Sequence, residues 1–303
     1  MDEKLLRYFV VAVEEGNVTR AAERLGVSQP ALSQQLKKLE HHLNAALLER
    51  SKRGVTLTSA GGAFLPYARR VLQELHEARL VMGEIEGLER GHLTIGTVQS
   101  VNINLMPRAL AKFGRRYPGV SINIRELASD QIEPQLAKGA FDVGIGFLWE
   151  HQPDFVTEPL FREELMLVVP DTHPFWSRQE VAVRELEGAA MVNIVPGSKR
   201  IWEACREAAG VRTHTVAEMS SIASVIVSVR YMAAAAVVPA MALTSSADTH
   251  VKGIPLRDPK PERTIGCLWR RQQYRPQLSK VLASMLREAV AELQSPWIRP
   301  LEP

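Results

Sequence analysis

Apolar positions in the first fifty residues recur at helical spacing, in three short blocks. Leu6, Phe9, Val10 and Val13 fall on one face of a first helix. Asn17 or Thr19 can cap a second helix, Arg20 to Leu25, which stops at Gly26. Ser28 caps a third, where Pro30 is tolerated because its missing N–H falls in the first turn. Along that helix Leu32, Leu36, Leu39 and Leu43 make one apolar stripe. Two extended segments follow, Leu47 to Arg50 and Gly54 to Leu57, joined through Ser51-Lys52-Arg53. Residues 58–88 then predict one long helix. Phe64, Ala68, Val71, Leu75, Ala78, Met82 and Ile85 follow spacings of 4 and 3 in turn, a heptad seam that Leu65, Leu72 and Val81 widen. The seam predicts dimerisation through this helix; an amphipathic helix packed only on its own domain is the alternative. Pro66 predicts a kink or a late start to the regular helix.

From His92 onward strands and helices alternate. Leu93 to Thr97 predicts a strand, Leu105 to Arg116 a helix and Val120 to Leu127 a second strand. A helix over Ser129 to Lys138 and a strand over Asp142 to Phe147 come next. Leu165 to Val169 is apolar on both faces, as in a buried strand of a parallel sheet. The alternation continues through Met191–Ile194, Arg200–Ala209, Ser220–Met232 and Ala234–Val238. Ile265 to Trp269 is a late strand and Pro276 to Leu293 a closing helix. Such alternation implies a doubly wound α/β architecture.

The chain has 303 residues, enough at roughly 150 per domain for two domains, or three if one is small. Its 37 basic and 34 acidic side chains leave a net charge of +3, which excludes a polycationic coat protein but not a local basic patch. The two cysteines, Cys205 and Cys267, are too few for a disulfide framework and too far apart for a CxxC metal site. Reduced core thiols in a cytoplasmic protein are the expectation. Met1-Asp2-Glu3-Lys4 does not open a signal peptide, and no apolar run approaches the ~18 residues of a membrane span. A cytoplasmic protein with no membrane partner follows.

The stretch from Thr19 to Glu40 carries the sharpest chemistry. Two short helices meet at Gly26-Val27-Ser28, a turn of helix-turn-helix length. Ala22 is small where they should cross, Gly26 can take a positive φ, and Val27 and Leu32 fill the angle. The remaining face of the third helix, with Ser28 at its head, is Gln29, Pro30, Ser33, Gln34, Lys37 and, at its edge, Lys38, without a carboxylate. Gln can pair with adenine and Ser with several base edges, while Lys serves phosphates. This helix is the candidate for major-groove insertion, against the alternative of a solvated polar face. Residues 20–53 carry seven basic and three acidic side chains, whereas the preceding nineteen net −2. Arg50, Lys52 and Arg53 at the hairpin tip could form a wing along phosphates or in the minor groove. A solvated charged turn is the plainer reading of the tip alone.

Several longer motifs resemble those of the LysR-type transcriptional regulators. They are Arg20-Ala21-Ala22-Glu23-Arg24-Leu25, Val27-Ser28-Gln29-Pro30-Ala31-Leu32-Ser33, Leu39-Glu40, Leu47-Leu48-Glu49-Arg50 and Leu57-Thr58-Ser59-Ala60-Gly61. Arg90 to Gly96, Phe141-Asp142-Val143-Gly144-Ile145, Leu167-Val168-Val169-Pro170 and His173-Pro174 extend the likeness over nearly the whole chain. Within the family the chain is somewhat similar to the cyanate-operon regulators. The resemblance implies an N-terminal winged helix-turn-helix over 1–58, a linker and dimerisation helix over 59–88, and an effector domain over 91–303. That domain would be periplasmic-binding-protein-like, with subdomain one at 91–162 and 266–303 and subdomain two at 163–265. It also implies a homotetramer, a dimer of dimers, partnered by double-stranded DNA and a small-molecule effector. One departure stands at Tyr231 to Val237, where alanines replace the glycines usual in the family.

Ligands of open α/β sheets sit beyond the carboxyl ends of strands. Strand 93–97 runs into Gln99, Ser100 and Val101, which offer an amide, a hydroxyl and a helix N-terminus suited to a small anion. Ser129, Asn193 and Ser220 are further polar candidates, and Phe147 and Ile194 apolar walls, although Ser129 and Ser220 could simply cap helices. No catalytic residue, metal or cofactor is expected. Gly144-Ile145-Gly146 begins like a dinucleotide loop, but Trp149 stands where its third glycine should, and no GxSxG, HExxH or Walker sequence occurs. A transport-type solute-binding protein would lack the DNA-reading module. A ligand-independent helix-turn-helix dimer is the remaining alternative.

Overall fold

A computed structural model describes residues 2–51, 54–85, 91–149, 152–195, 199–244, 249–272 and 274–302. The chain divides into two compact units, Met1–Met82 and Gly83–Pro303.

In the first unit α1 (Glu3–Glu15), α2 (Val18–Leu25) and α3 (Gln29–Leu43) enclose a core of Leu5, Phe9, Ala12, Ala21, Leu32, Leu36 and Leu39. Full burial of each leucine stabilises by roughly 1.5–3 kcal/mol. Asn17 rather than Thr19 caps α2, accepting from the N–H groups of Thr19 and Arg20, so the helix starts two residues before Arg20. Gly26 closes α2 at φ +66°, a left-handed conformation that costs glycine nothing. The Ser28 hydroxyl accepts from the N–H of Ala31 and starts α3. The hairpin β1 (Leu48–Ser51) and β2 (Gly54–Leu57) is antiparallel, and Lys52 and Arg53 lie outside the described residues.

The Thr58 hydroxyl accepts from the N–H of Gly61 and opens α4 (Ser59–Ile85). A β-carbon on Gly61 would lie 2.0 Å from the carbonyl oxygen of Leu47, so only glycine lets α4 pass this close to the chain leading into β1. Of the kink or late start expected at Pro66, the late start does not occur, since the helix already includes the seven residues before it. Capping by Thr58 sets its beginning instead.

The second unit is mixed α/β. Its elements are β3 (Gly91–Thr97), α5 (Gln99–Asn104), α6 (Met106–Arg116), β4 (Val120–Glu126), α7 (Ser129–Ala137) and β5 (Val143–Phe147). Then come β6 (Phe155–Pro170), β7 (Val181–Ala182), β8 (Ala190–Ile194), α8 (Lys199–Ala208), β9 (His214–Met219) and α9 (Ile222–Met232). The chain closes with β10 (Ala236–Pro239), β11 (Val251–Arg257), β12 (Glu262–Arg270), α10 (Gln277–Ala291) and β13 (Ile298–Pro300). One sheet has the order β4-β3-β5-β12-β6-β11-β7, with β10 and β13 also paired to β6, while β8 and β9 form a second, parallel sheet.

The 16-residue β6 joins the two halves of this unit. Its first part pairs with β12 and β13, and its last part, from Leu165, with β10 and β11. The return path leaves β11 at Arg257 and enters β12 at Glu262. Leu165 to Val169 is fully buried as its composition predicts, but its neighbours β10 and β11 are antiparallel, not parallel. Cover on both faces, rather than strand direction, makes a segment apolar throughout. The helix expected over Leu105–Arg116 is preceded by a separate short helix, α5. At the alanine-rich departure, Ala233 takes φ +49° as the C-cap of α9, the left-handed conformation that a glycine adopts without strain.

Candidate functional site

The first unit presents the outer face of α3. Ser28, Gln29, Pro30, Gln34, Lys37 and Lys38 are exposed and Ser33 is half-buried. The Gln29 amide donates to the Ser33 hydroxyl at 3.1 Å, so the two groups share one patch at the head of the helix. Glu40 is drawn off this face: its carboxylate accepts from the N–H groups of Leu47 and Leu48 at 2.8 and 3.1 Å and anchors the hairpin entrance. The face therefore offers amide, hydroxyl and ammonium donors to a polyanion.

Not all the basic residues of this segment are available. Arg24 pairs with Glu14 and Glu15 at 3.0 and 2.9 Å, and the Arg20 guanidinium donates to the Glu15 carbonyl. Both tie α2 to α1. Arg50 lies on β1, but its side chain, like all of Lys52 and Arg53, falls outside the described residues.

The seam on α4 divides. Phe64 and Ala68 belong to the core of their own unit, with the Phe9 and Phe64 ring centroids 5.6 Å apart. Val71, Leu75, Ala78 and Met82 are exposed, Met82 at 56%, on one helical face; the Ile85 side chain lies outside the described residues.

In the second unit a cavity of about 210 Å³ opens between the halves that β6 joins. Gln99, Ser100, Ser129, Ile194 and Ser220 line it, as the sequence suggests, together with Val98, Glu126, Leu127, Ala128, Ile222, Pro239 and Arg263. Other candidates lie elsewhere. Val101 is fully buried in the core of the first half, and Phe147 packs edge-on against Trp149 at 4.0 Å. The Asn193 amide donates to the Thr215 hydroxyl across the β8–β9 sheet.

Nothing in the sequence points to Arg263. It is 6% exposed, its guanidinium donates to the Ser100 hydroxyl at 2.8 Å, and it stands 2.7 Å from the Glu163 carboxylate. Glu163 also accepts from the N–H of Met241. The cation in the cavity wall is thus already neutralised by Glu163, and the hydroxyls of Ser100 and Ser129 share the lining with the carboxylate of Glu126. The start of α7 has no side-chain cap, and the Ser129 hydroxyl is buried there without a hydrogen-bond partner. Such an uncapped helix start favours anions. Glu126 sits on the rim with its two oxygens held by the amides of Gln99 and Asn102. No group of His, Cys, Asp or Glu that could hold a metal ion occurs among the described residues.

Residues 4–62 match the bacterial regulatory helix-turn-helix protein, lysR family, and residues 86–291 match the LysR substrate binding domain. The chain belongs to the LysR family. It is 38% identical to the Hca operon transcriptional activator HcaR of Escherichia coli K12 over 196 residues, 65% of this chain and 66% of that protein. It is 30% identical to a hydrogen peroxide-inducible genes activator of Escherichia coli O6:H1 over 274 residues, 89% of this chain and 90% of that one. A full-length OxyR variant from Pseudomonas aeruginosa superimposes with a TM-score of 0.72 at 28% identity, covering 95% of both chains. These LysR-family relatives are transcriptional regulators and not enzymes. The helix-turn-helix match spans α1 to the start of α4, and the substrate-binding match includes every residue lining the cavity.

Proposed function

We propose that this LysR-family protein is a sequence-specific DNA-binding transcriptional regulator, cytoplasmic, whose activity is set by a small-molecule effector in the cavity, a small anion or metabolite. The outer face of α3 carries the reading: Gln29, Ser33, Gln34, Lys37 and Lys38 line up with no acidic side chain among them, because Glu40 is turned to the hairpin. Gln29 and Ser33 read base edges in the major groove while Lys37 and Lys38 hold phosphates. The hairpin tip, with Arg50, Lys52 and Arg53, is the wing. The test is binding of the full chain to the promoter fragment upstream of its own gene against a shuffled fragment, at fixed ionic strength. A clear preference supports the proposal, and equal affinity refutes it.

The exposed part of the α4 seam, Val71, Leu75, Ala78 and Met82, pairs with a second copy, and two such dimers make the tetramer. Effector binding changes how the two halves close, and so which half-sites the recognition helices reach. The cavity, about 210 Å³, has room for a small ligand. Thermal-shift screening of small organic acids identifies it: at ~100 times Kd a ligand stabilises by about 2.7 kcal/mol.

The peroxide response in one relative's name does not transfer with the fold. Burial pushes the thiol of Cys267 far up, and it pushes that of Cys205 up as well, which leaves little reactive thiolate at neutral pH. Cys267 is buried in the core of the first half, whereas Cys205 is half-buried against the core of the second.

A further inference from the structure

Gln99 spans the cavity. It begins α5 in the first half, and its amide oxygen accepts from the backbone N–H of Ile222, the first residue of α9 in the second half. Its amide nitrogen donates to the Glu126 carboxylate at 2.8 Å. Both ends of the amide are matched: the oxygen meets a donor and the nitrogen an acceptor, so the side chain is fixed in one orientation. The Ser221 hydroxyl caps α9 by accepting from the N–H of Ser224, which leaves the N–H of Ile222 to Gln99. A neutral carbonyl therefore occupies the positive end of an eleven-residue helix, inside a cavity that also holds Ser100, Arg263 and the unpartnered Ser129 hydroxyl. A carboxylate is the stronger partner for such an N–H, since ionised acceptors make hydrogen bonds about twice as strong as neutral ones.

We propose that Gln99 is a built-in occupant of the effector site: its amide holds the start of α9 in the ligand-free protein, and an effector carboxylate binds by displacing it. This rests on the reading of the cavity as the effector site. Gln99 then sets specificity. A ligand without an anionic oxygen gains nothing by the exchange, whereas a carboxylate gains a charge-assisted bond. The displaced amide remains tethered to Glu126, so the exchange also frees one strap between the halves. A second strap survives it, because the Arg200 guanidinium of α8 lies 4.5 Å from the ring centroid of Trp149 in the first half.

The test uses the full-length protein with Gln99→Ala and Gln99→Met, the second retaining bulk without hydrogen bonds. Without ligand, hydrogen exchange in a peptide covering residues 221–226 should quicken several-fold in both variants, while peptides from β12 stay unchanged. Acetate is the probe, titrated by thermal shift with chloride at matched ionic strength as control. Both variants should bind acetate roughly threefold to tenfold tighter than the unsubstituted protein, the effect of removing one competing hydrogen bond. Equal or weaker acetate binding by the variants, with saturable binding still seen, overturns the occupant role and leaves the cavity standing as the effector site. Unchanged exchange at 221–226 also overturns it. If neither the unsubstituted protein nor the variants bind acetate, the occupant role and the reading of the cavity fall together.

Discussion

The guanidinium of Arg263 and the carboxylate of Glu163, paired at 2.7 Å, join β12 to β6 just before β6 passes into the second half. Their side chains are 5% and 0% exposed. Removing one partner strands a charge in the interior, at a cost of about 3–5 kcal/mol, while replacing both by apolar groups of similar volume is often neutral. Glu163→Ala or Arg263→Ala should therefore lower the urea midpoint of the second unit strongly. Glu163→Leu combined with Arg263→Met removes both charges and should recover part of the loss, the rest remaining because the N–H of Met241 and the hydroxyl of Ser100 lose their partners. If the double variant were as unstable as the sum of the two single ones, the pair would not act as a unit.

Glu40 has a comparable role beside the outer face of α3. Its carboxylate accepts two backbone N–H groups at the start of the hairpin, and a bond to a charged group contributes about 1.5–3 kcal/mol. Glu40→Ala should lower the stability of the first unit by about that much and weaken DNA binding, although the change makes the α3 face no less basic. Gln at the same place keeps an acceptor and should retain more of both. Chemical denaturation and a binding titration separate the two variants.

Much of this architecture is legible in the chain because it rests on local rules. The leucine stripe of α3, its Ser28 cap and the Gly26 turn involve residues within a few positions of one another. The pieces that escape the sequence are the non-local ones. Only Leu165–Val169 of β6 reads as a strand, since Glu158, Pro159, Arg162, Glu163 and Glu164 break the apolar run before it. β9 is mostly exposed and β11 carries Gly253 and Pro255, so neither shows a strand pattern. Arg263 meets Ser100 and Glu163 across separations of 163 and 100 residues, which no motif records. Asn193 is not a cavity residue for the same reason: its own strand is legible, but its partner Thr215 lies on a strand that the pattern conceals.

Base reading and phosphate binding by α3 should separate experimentally. Gln29→Ala and Ser33→Ala should each cost roughly 1–3 kcal/mol on the cognate site and relax the preference for it. Lys38→Ala should weaken binding to every sequence and flatten the slope of log K against log salt by about 0.9 for each phosphate no longer neutralised. Titrations on cognate and shuffled duplexes at several salt concentrations distinguish these patterns. Identical behaviour of the two classes would remove the assignment of roles.

On α4 two halves of one heptad seam should respond in opposite ways. Leu75 is 38% exposed in the single chain, so Leu75→Glu leaves the fold of each protomer intact and places like charges together in a paired helix. It should halve the mass seen by sedimentation, or reduce a tetramer to smaller species, with little change in melting. Phe64 packs on Phe9 inside its own unit, so Phe64→Ala should lower the melting temperature instead. A Leu75→Glu protein that kept its full assembly mass would show that α4 is not where the copies meet.

The alanine run after α9 offers a test on the backbone alone. Ala233 sits at φ +49° and is exposed, so its methyl group contributes little burial while its left-handed conformation costs an L-residue roughly 1–2 kcal/mol. Glycine removes that strain but gives the unfolded chain more freedom, a loss of about 0.4–1 kcal/mol. The difference favours the variant, and Ala233→Gly should stabilise the second unit by up to about 1 kcal/mol, with the cavity beside Gln99 unaltered. Thermal or urea unfolding reads the change directly. Ala234, buried beside it, is the control: glycine there relieves no strain and leaves a small void, so Ala234→Gly should destabilise. Were Ala233→Gly to destabilise equally, the left-handed cap would not be the conformation this chain adopts at the end of α9.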